Sequence, residues 1–236
     1  MVAVILAGGR GTRLKPFTMT IPKPLLPLGD VPILEVVIRQ LAAAGVERVV
    51  LTVGHMAPLF SALLGDGQRW GVKIEYSLED APLGTAGPIR LVPDPGEHFI
   101  VMNGDVLTTL DYNALIERHR AEGAHATIAL AQREVRIDYG VVVPSDTGFL
   151  AQYVEKPVTP YLVSMGINVI SRECLPYIPA GQPFDIPQLM MALLKDGKRV
   201  YCYRSDCYWQ DIGRFDDYQR ASQDFTEAPS RFLPQD

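Results

Sequence analysis

The chain has 236 residues, 47% of them hydrophobic, and a formal net charge of −5. That is ample for the core of one large α/β domain, and the negative balance argues against nucleic acid as a partner while allowing a local basic pocket for a small phosphate ligand. No apolar run approaches membrane-spanning length and no basic leader precedes the first strand. Cys174, Cys202 and Cys207 lack zinc or C-x-x-C spacing and read as reduced thiols, so a cytoplasmic protein without a membrane partner is expected, with a homo-oligomer left open.

In chain order, residues 2–6 (VAVIL) form an apolar run without polar alternation, as in a buried parallel strand. Gly8, Gly9 and Gly11 follow and lay the backbone amides open to a bound group, and Thr12 and Arg13 add a hydroxyl and a fixed cationic fork. Lys23, between Pro22 and Pro24, places a second cation on a stiffened segment. A strand ending in such a loop can cradle polyphosphate, and the set suits a nucleoside triphosphate. Two other glycine motifs do not fit. Counted from Gly9, the third glycine of a dinucleotide fingerprint falls on Leu14, and no lysine follows Gly11 as a Walker loop requires.

The spacing of Ile33, Leu34, Val37, Ile38 and Leu41 predicts a helix over 31–44, ended by Gly45. Strands at 48–53, 72–76 and 99–102, with a short helix at 57–64 and a helical turn before the last strand, continue the alternation. This predicts a Rossmann-like, mostly parallel central sheet with helices on both faces. Ligands of such sheets bind outside the carboxyl ends of the strands, where the glycine loop, the loop APLGTAG at 81–87 and Asn103-Gly104-Asp105 all fall. Asp105, directly after a buried strand, is a natural Mg²⁺ ligand in a phosphate site. A helix over 110–122 precedes a strand-rich portion at 126–131, 140–143, 150–154 and 162–170. A helix over 184–194, opened by Asp185 and Pro187, and a strand at 199–203 follow. Residues 1–225 read as a single domain and 226–236 as a mobile tail. His55, His98, His119 and His125 show no metal-ligand spacing and receive no role.

LAGGRGTRL at 6–14 and PKPLLPLGDVPILE at 22–35 resemble the signature of the sugar-1-phosphate nucleotidyltransferases. The resemblance is strongest to the GDP-mannose pyrophosphorylase-like branch of mannose/heptose-1-phosphate guanylyltransferases. It extends through PLGTAG at 82–87, NGD at 103–105, YVEKP at 153–157 and WQDIG at 209–213. It implies a nucleotide-diphospho-sugar transferase fold in which the strand-rich portion is the sugar-binding side. The implied activity joins a sugar 1-phosphate to a nucleoside triphosphate, GTP favoured, to give an NDP-sugar and pyrophosphate with Mg²⁺ as cofactor. On this resemblance Leu6, Ala7, Gly8, Gly9, Gly11, Thr12 and Arg13 hold the nucleotide together with Gly84, Thr85 and Ala86. Arg13, Lys23 and Lys156 are the catalytic cations. Asn103, Gly140, Glu155, Lys156, Ser164 and Asn168 take the sugar phosphate, and Asp105 and Asp211 bind the metal.

One segment departs from the pattern. Ser164 stands where relatives carry an asparagine and Asn168 where they carry an aromatic residue, so the sugar can differ from mannose. Two other readings stay open: a nucleotidyltransferase for a cyclitol or alcohol phosphate, and a catalytically inactive NDP-sugar-binding regulator. Longer relatives continue into a β-helix of hexapeptide repeats, and no such repeat occurs in these residues.

Overall fold

The side-chain alternation of the first strand sets the layers. β1 (Val2–Leu6) sends Ala3 and Ile5 into one apolar cluster and Val4 into another, because successive side chains of a strand leave on opposite faces. The computed structural model describes residues 1–9, 11–54 and 56–234; Arg10, His55, Gln235 and Asp236 lie outside them. After β1, a two-residue ribbon pairs β2 (Pro27–Leu28) with β3 (Val31–Pro32). Then come α1 (Ile33–Ala43), β4 (Arg48–Val53), α2 (Ala57–Leu64), β5 (Lys73–Leu78), β6 (His98–Asn103) and β7 (Val106–Thr108). The second half comprises α3 (Tyr112–Ala121), β8 (Ala126–Arg136), β9 (Val141–Pro144), β10 (Leu150–Val154), β11 (Val158–Ser171), α4 (Ile186–Lys195), β12 (Val200–Arg204), β13 (Trp209–Asp211) and α5 (Phe215–Glu227).

Seven strands make the central sheet in the order β12-β8-β11-β6-β1-β4-β5. All run parallel except β11, which is antiparallel to both its neighbours. The expected mostly parallel sheet is therefore present. In its middle, Val4 lies between Val50 and Val101, a continuous apolar row. Leu34, Val37, Ile38 and Leu41 of α1, Phe60 and Leu64 of α2, and Leu115 and Ile116 of α3 cover the face of Ala3 and Ile5. Leu189, Met190 and Leu193 of α4 cover the face of Val4. Each fully buried aliphatic side chain of this kind contributes ~1.5–3 kcal/mol. A third cluster, including Leu14, Leu28, Ile33, Phe225 and Phe232, fastens the start of the chain to α5.

Two expectations need correction. β8 and β11 are longer than the predicted 126–131 and 162–170; their outer ends, with β9 and β10, form an arm in which no residue from 132 to 164 is buried. Of the tail predicted as mobile over 226–236, residues 226–234 are instead docked, and Gln235 and Asp236 lie outside the described residues. α5 runs to Glu227 and a short 3₁₀ turn covers Pro229–Arg231. Phe232 is 2% exposed and packs against Tyr208 and Phe225 at ring-centroid distances of 5.1 and 5.9 Å. Gln40 also donates a hydrogen bond to the Phe232 carbonyl at 2.7 Å. A single aromatic anchor leaves no periodicity for sequence reading to detect. Among the described residues, no helix is long and apolar enough to cross a membrane.

Candidate active site

At the end of β1 the Ala7 amide still donates to Thr52 at 2.9 Å, and only then does the chain leave the sheet through Gly8 and Gly9. Gly11 is left-handed, with φ 58°, and a Cβ there would lie 2.9 Å from Thr18 Cγ2. Conformation and space together demand glycine. The Thr18 hydroxyl donates to the Gly11 carbonyl at 2.7 Å, and Leu14 is buried in the third cluster. These contacts fix the loop and leave Thr12 and Arg13 exposed.

The two aspartates meet through backbone pairing. Gly104 follows β6 and donates to the Leu6 carbonyl at 3.1 Å, a close approach of chain to chain that sets Asp105 at the carboxyl edge of the sheet. β13 pairs antiparallel with β7, placing Asp211 opposite Val106, and the Ile212 amide donates to the Asp105 carbonyl at 3.1 Å. The Asp211 carboxyl is pushed above its ordinary range, first by burial and then by the charge of Asp105, while Lys23 and Arg13 pull it back. Lys23 is buried and ion-paired with Asp105 Oδ2. Among the described residues, no group of three or more His, Cys, Asp or Glu assembles. Two carboxylates beside open space fit magnesium, which takes one or two carboxylates and completes its shell with phosphate oxygens and water.

Three adjoining cavities share Asp105. One of about 210 Å³ is lined by Gly9, Gly11, Thr12, Arg13 and Lys23. A second, about 330 Å³, holds Leu6, Gly8, Gly9, Glu79, Pro82, Gly84, Thr85 and Asn103. The third, about 380 Å³, holds Arg13, Asn103, Ser164, Asn168, Trp209 and Asp211. A larger cavity of about 440 Å³ shares Ala7, Gly8, Gly9 and Thr12 but contains none of Arg13, Lys23, Asp105 or Asp211, so the chemistry does not centre there.

The loop at 81–87 is held by α4. The Thr85 amide and hydroxyl donate to Asp185 Oδ1 at 2.8 and 3.1 Å, and the Thr85 hydroxyl accepts from the Ile186 amide at 2.8 Å. Gly84 has φ 75°, and a Cβ there would sit 2.7 Å from both Asp185 Oδ1 and the Phe184 carbonyl. Gly84 and Thr85 line the cavities as anticipated, but Ala86 does not. It is fully buried in the second cluster and its amide donates to Phe184 at 2.8 Å. Glu79 is a cavity residue that the sequence reading missed. Its Oε2 accepts from the Leu83 amide at 3.2 Å, Oε1 stands beside Gly8, and burial pushes the carboxyl above its ordinary range. Its only signal is a carboxylate just ahead of a Pro/Gly turn.

On the remaining side, Gly166 has φ 71° and a Cβ there would lie 2.6 Å from Asn103 Nδ2. Ser164 Oγ accepts from the Gly166 amide at 3.3 Å, and Trp209 Nε1 donates to Met165 at 2.9 Å. Gly140, Glu155 and Lys156 are not among the residues lining the three cavities. They stand on the arm, where the Tyr153 hydroxyl takes the space a Cβ on residue 140 would need and donates to Glu155 at 3.4 Å. Lys156 is exposed and adopts a positive φ of 46°, a conformation that non-glycine residues seldom keep without cause.

The family model for nucleotidyl transferases matches residues 2–228. The chain belongs to the nucleotidyl transferase family. It is 36% identical over 241 residues to a UTP–glucose-1-phosphate uridylyltransferase of Synechocystis sp., covering 94% of this chain and 62% of that protein. It is also 36% identical over 239 residues to a mannose-1-phosphate guanylyltransferase of Mycobacterium tuberculosis, covering 98% and 67%. The chain thus spans roughly two thirds of these relatives or slightly less. Among solved structures it is similar to HddC from Yersinia pseudotuberculosis, with TM-score 0.74, 28% identity and coverage of 95% and 99%. A complex of HddC with GMP-PN gives TM-score 0.72 at 26% identity, with the same coverage. The fold expected for a nucleotidyl transferase of sugar phosphates is the fold observed.

Proposed function

We propose that this nucleotidyl transferase joins a sugar 1-phosphate to a nucleoside triphosphate, with GTP preferred, and releases pyrophosphate. The observation that carries the reading is Asp105, which borders the glycine-loop cavities on one side and the Asn103–Ser164–Asn168 cavity on the other. A nucleotide on the first side and a sugar phosphate on the second would bring their reacting phosphates together there. A phosphate monoester has a second pKa of about 6 and is mostly dianionic at neutral pH, so no general base is needed. The task is to hold two anions in line against their repulsion. Arg13 and the glycine-loop amides would hold the triphosphate, Lys23 orients Asp105, and Lys156 is assigned to the incoming sugar phosphate. Held by Asp105 and Asp211, Mg²⁺ would supply charge neutralisation at the phosphate oxygens.

Glu79 supports guanine. Guanine presents two adjacent donors, N1–H and N2–H, which one carboxylate can accept together. Uracil presents a single N–H between two carbonyl oxygens that a carboxylate repels. Pyrophosphate release measured over GTP, UTP, CTP, dTTP and ATP with mannose, glucose and heptose 1-phosphates tests both parts. GTP should exceed the other nucleotides by at least about tenfold in kcat/KM, and Glu79→Gln should erase most of that gap. A dominant uridylyl or thymidylyl product would overturn the base assignment and leave the reaction standing.

A further inference from the structure

Asn168 sits in the middle of the sheet with an unused acceptor. On β11 it lies between the buried Val101 of β6 and the half-buried Ile128 of β8, and it is 3% exposed. Asparagine is a poor choice for a central strand, and no packing argument requires it there. Its Nδ2 donates to the Val101 carbonyl at 3.4 Å, while Oδ1 is buried and has no hydrogen-bond partner. Exchanging the two amide atoms would not help, since Oδ1 would then face the Val101 carbonyl, acceptor against acceptor. Buried acceptors in folded proteins are almost always paired. This one belongs to a residue lining the cavity of about 380 Å³ shared by Asn103, Asp105, Ser164 and Asp211, at the point where the pairing of β11 with β8 slips between Ser164 and Asn168.

We propose that Asn168 is a specificity residue whose Oδ1 accepts a hydrogen bond from a donor on the sugar ring of the acceptor substrate, a hydroxyl or an amino group. The inference rests on the reading of this cavity as the sugar-phosphate side. It narrows the substrate class: a sugar 1-phosphate that is deoxygenated at the position facing Asn168 leaves the acceptor buried and unpaired, and is rejected. It also separates stability from activity. In the free protein, leucine in place of Asn168 removes an unpaired polar atom at similar volume, so the fold does not suffer while substrate selection does.

The test uses the full chain, GTP, an accepted sugar 1-phosphate and its series of monodeoxy analogues, read by pyrophosphate release. In the wild type one analogue should lose at least about tenfold in kcat/KM relative to the parent sugar. In Asn168→Leu the parent should fall to the level of that analogue, so that the two differ by less than about twofold, with an unchanged or raised melting temperature without substrate. An Asn168→Leu protein that is destabilised yet keeps the wild-type preference would assign Asn168 to its bond with Val101 and overturn the proposal. Because that variant can fail to fold, the wild-type series decides alone: if no analogue loses more than about twofold, the proposal fails. Failure of every sugar 1-phosphate to release pyrophosphate would sink the reaction itself and this inference with it, whereas turnover indifferent to the ring substituents sinks this inference alone.

Discussion

The glycine loop and the arm are built on opposite terms. Around the loop the chain is tied down by hydrogen bonds, to the sheet through Ala7 to Thr52 and Gly104 to Leu6, and within the loop region through Thr18 to Gly11. Along the arm, residues 132–164 include no buried side chain, and Tyr139, Phe149, Tyr153 and Tyr161 are 79%, 77%, 58% and 53% exposed. The arm is joined to the rest chiefly by the ladders of β8 and β11, and a segment with so few buried contacts opens and shifts at low free-energy cost. On the proposed reaction, the nucleotide half is preorganised, and the arm, with Gly140, Glu155 and Lys156, completes its half when the sugar phosphate arrives. Preorganised charge is where the larger catalytic terms lie.

The largest effect should therefore come from the fixed half. Asp105→Asn is expected to lower kcat/KM by about 10²–10³-fold. Its melting temperature should also fall, because the Lys23 ammonium stays buried opposite a neutral amide. Calorimetry of the unfolding transition, run beside the assay, separates the two losses. Turnover near the wild-type level in a folded variant would remove Asp105 from the reaction centre.

A smaller effect is expected from the arm. Lys156→Ala should cost about 10–100-fold in kcat/KM for the sugar phosphate, the scale of one hydrogen bond to a charged group, while GTP affinity by titration calorimetry and the melting temperature stay put. Lys156→Gly supplies the control, since it relaxes the positive φ. If the backbone conformation alone mattered, the glycine variant would keep its activity, and the assignment of the ammonium to the phosphate would be lost.

What the sequence reveals divides along the same line. The glycine loop and Asp105 are legible because the residue types themselves carry the constraint: a left-handed turn, a carboxylate after a buried strand. Asp211 is singled out only by the resemblance of WQDIG at 209–213 to the family motif. Glu79 and the clamp between Asp185 and Thr85 are not legible. Glu79 is placed by its contacts with Leu83 and Gly8, and the clamp by contacts between the loop at 81–87 and the start of α4, neither of which a local pattern encodes. Ala86 looks like a ligand residue because it follows Gly84 and Thr85, which line the cavities, and only packing shows that it faces the core. The docking of Phe232 and the length of β8 and β11 are likewise tertiary facts.

The smallest expected effect sharpens the comparison from the far end of the arm's own strands. His119 is fully buried; Nδ1 lies 2.8 Å from Thr127 Oγ1, and Nε2 lies 3.1 Å from His98 Nδ1 and 3.2 Å from Ser171 Oγ. Thr127 is near the start of β8 and Ser171 ends β11, so this cluster anchors the inner ends of both arm strands. Burial, followed by the charges of His98 on β6, Arg120 on the same helix and His125 before β8, pushes the His119 pKa down to about 4. In the unfolded chain it returns to about 6.5. Between these values the unfolded chain binds a proton that the folded one refuses. Stability is therefore complete above about pH 6.5, declines as the pH falls toward 4, and loses nothing further from this group below that. The loss reaches about 1 kcal/mol by pH 5.5. Urea titrations at pH 7.5, 6.5 and 5.5 should show it, and His119→Gln should flatten the slope; a variant that keeps the whole slope would clear His119 of the effect. Hydrogen exchange at pH 5.5, corrected for its intrinsic rate, should loosen first in 126–136 and 158–171, before β1 beneath the glycine loop, because acid releases the anchors of the arm and leaves those of the nucleotide half in place.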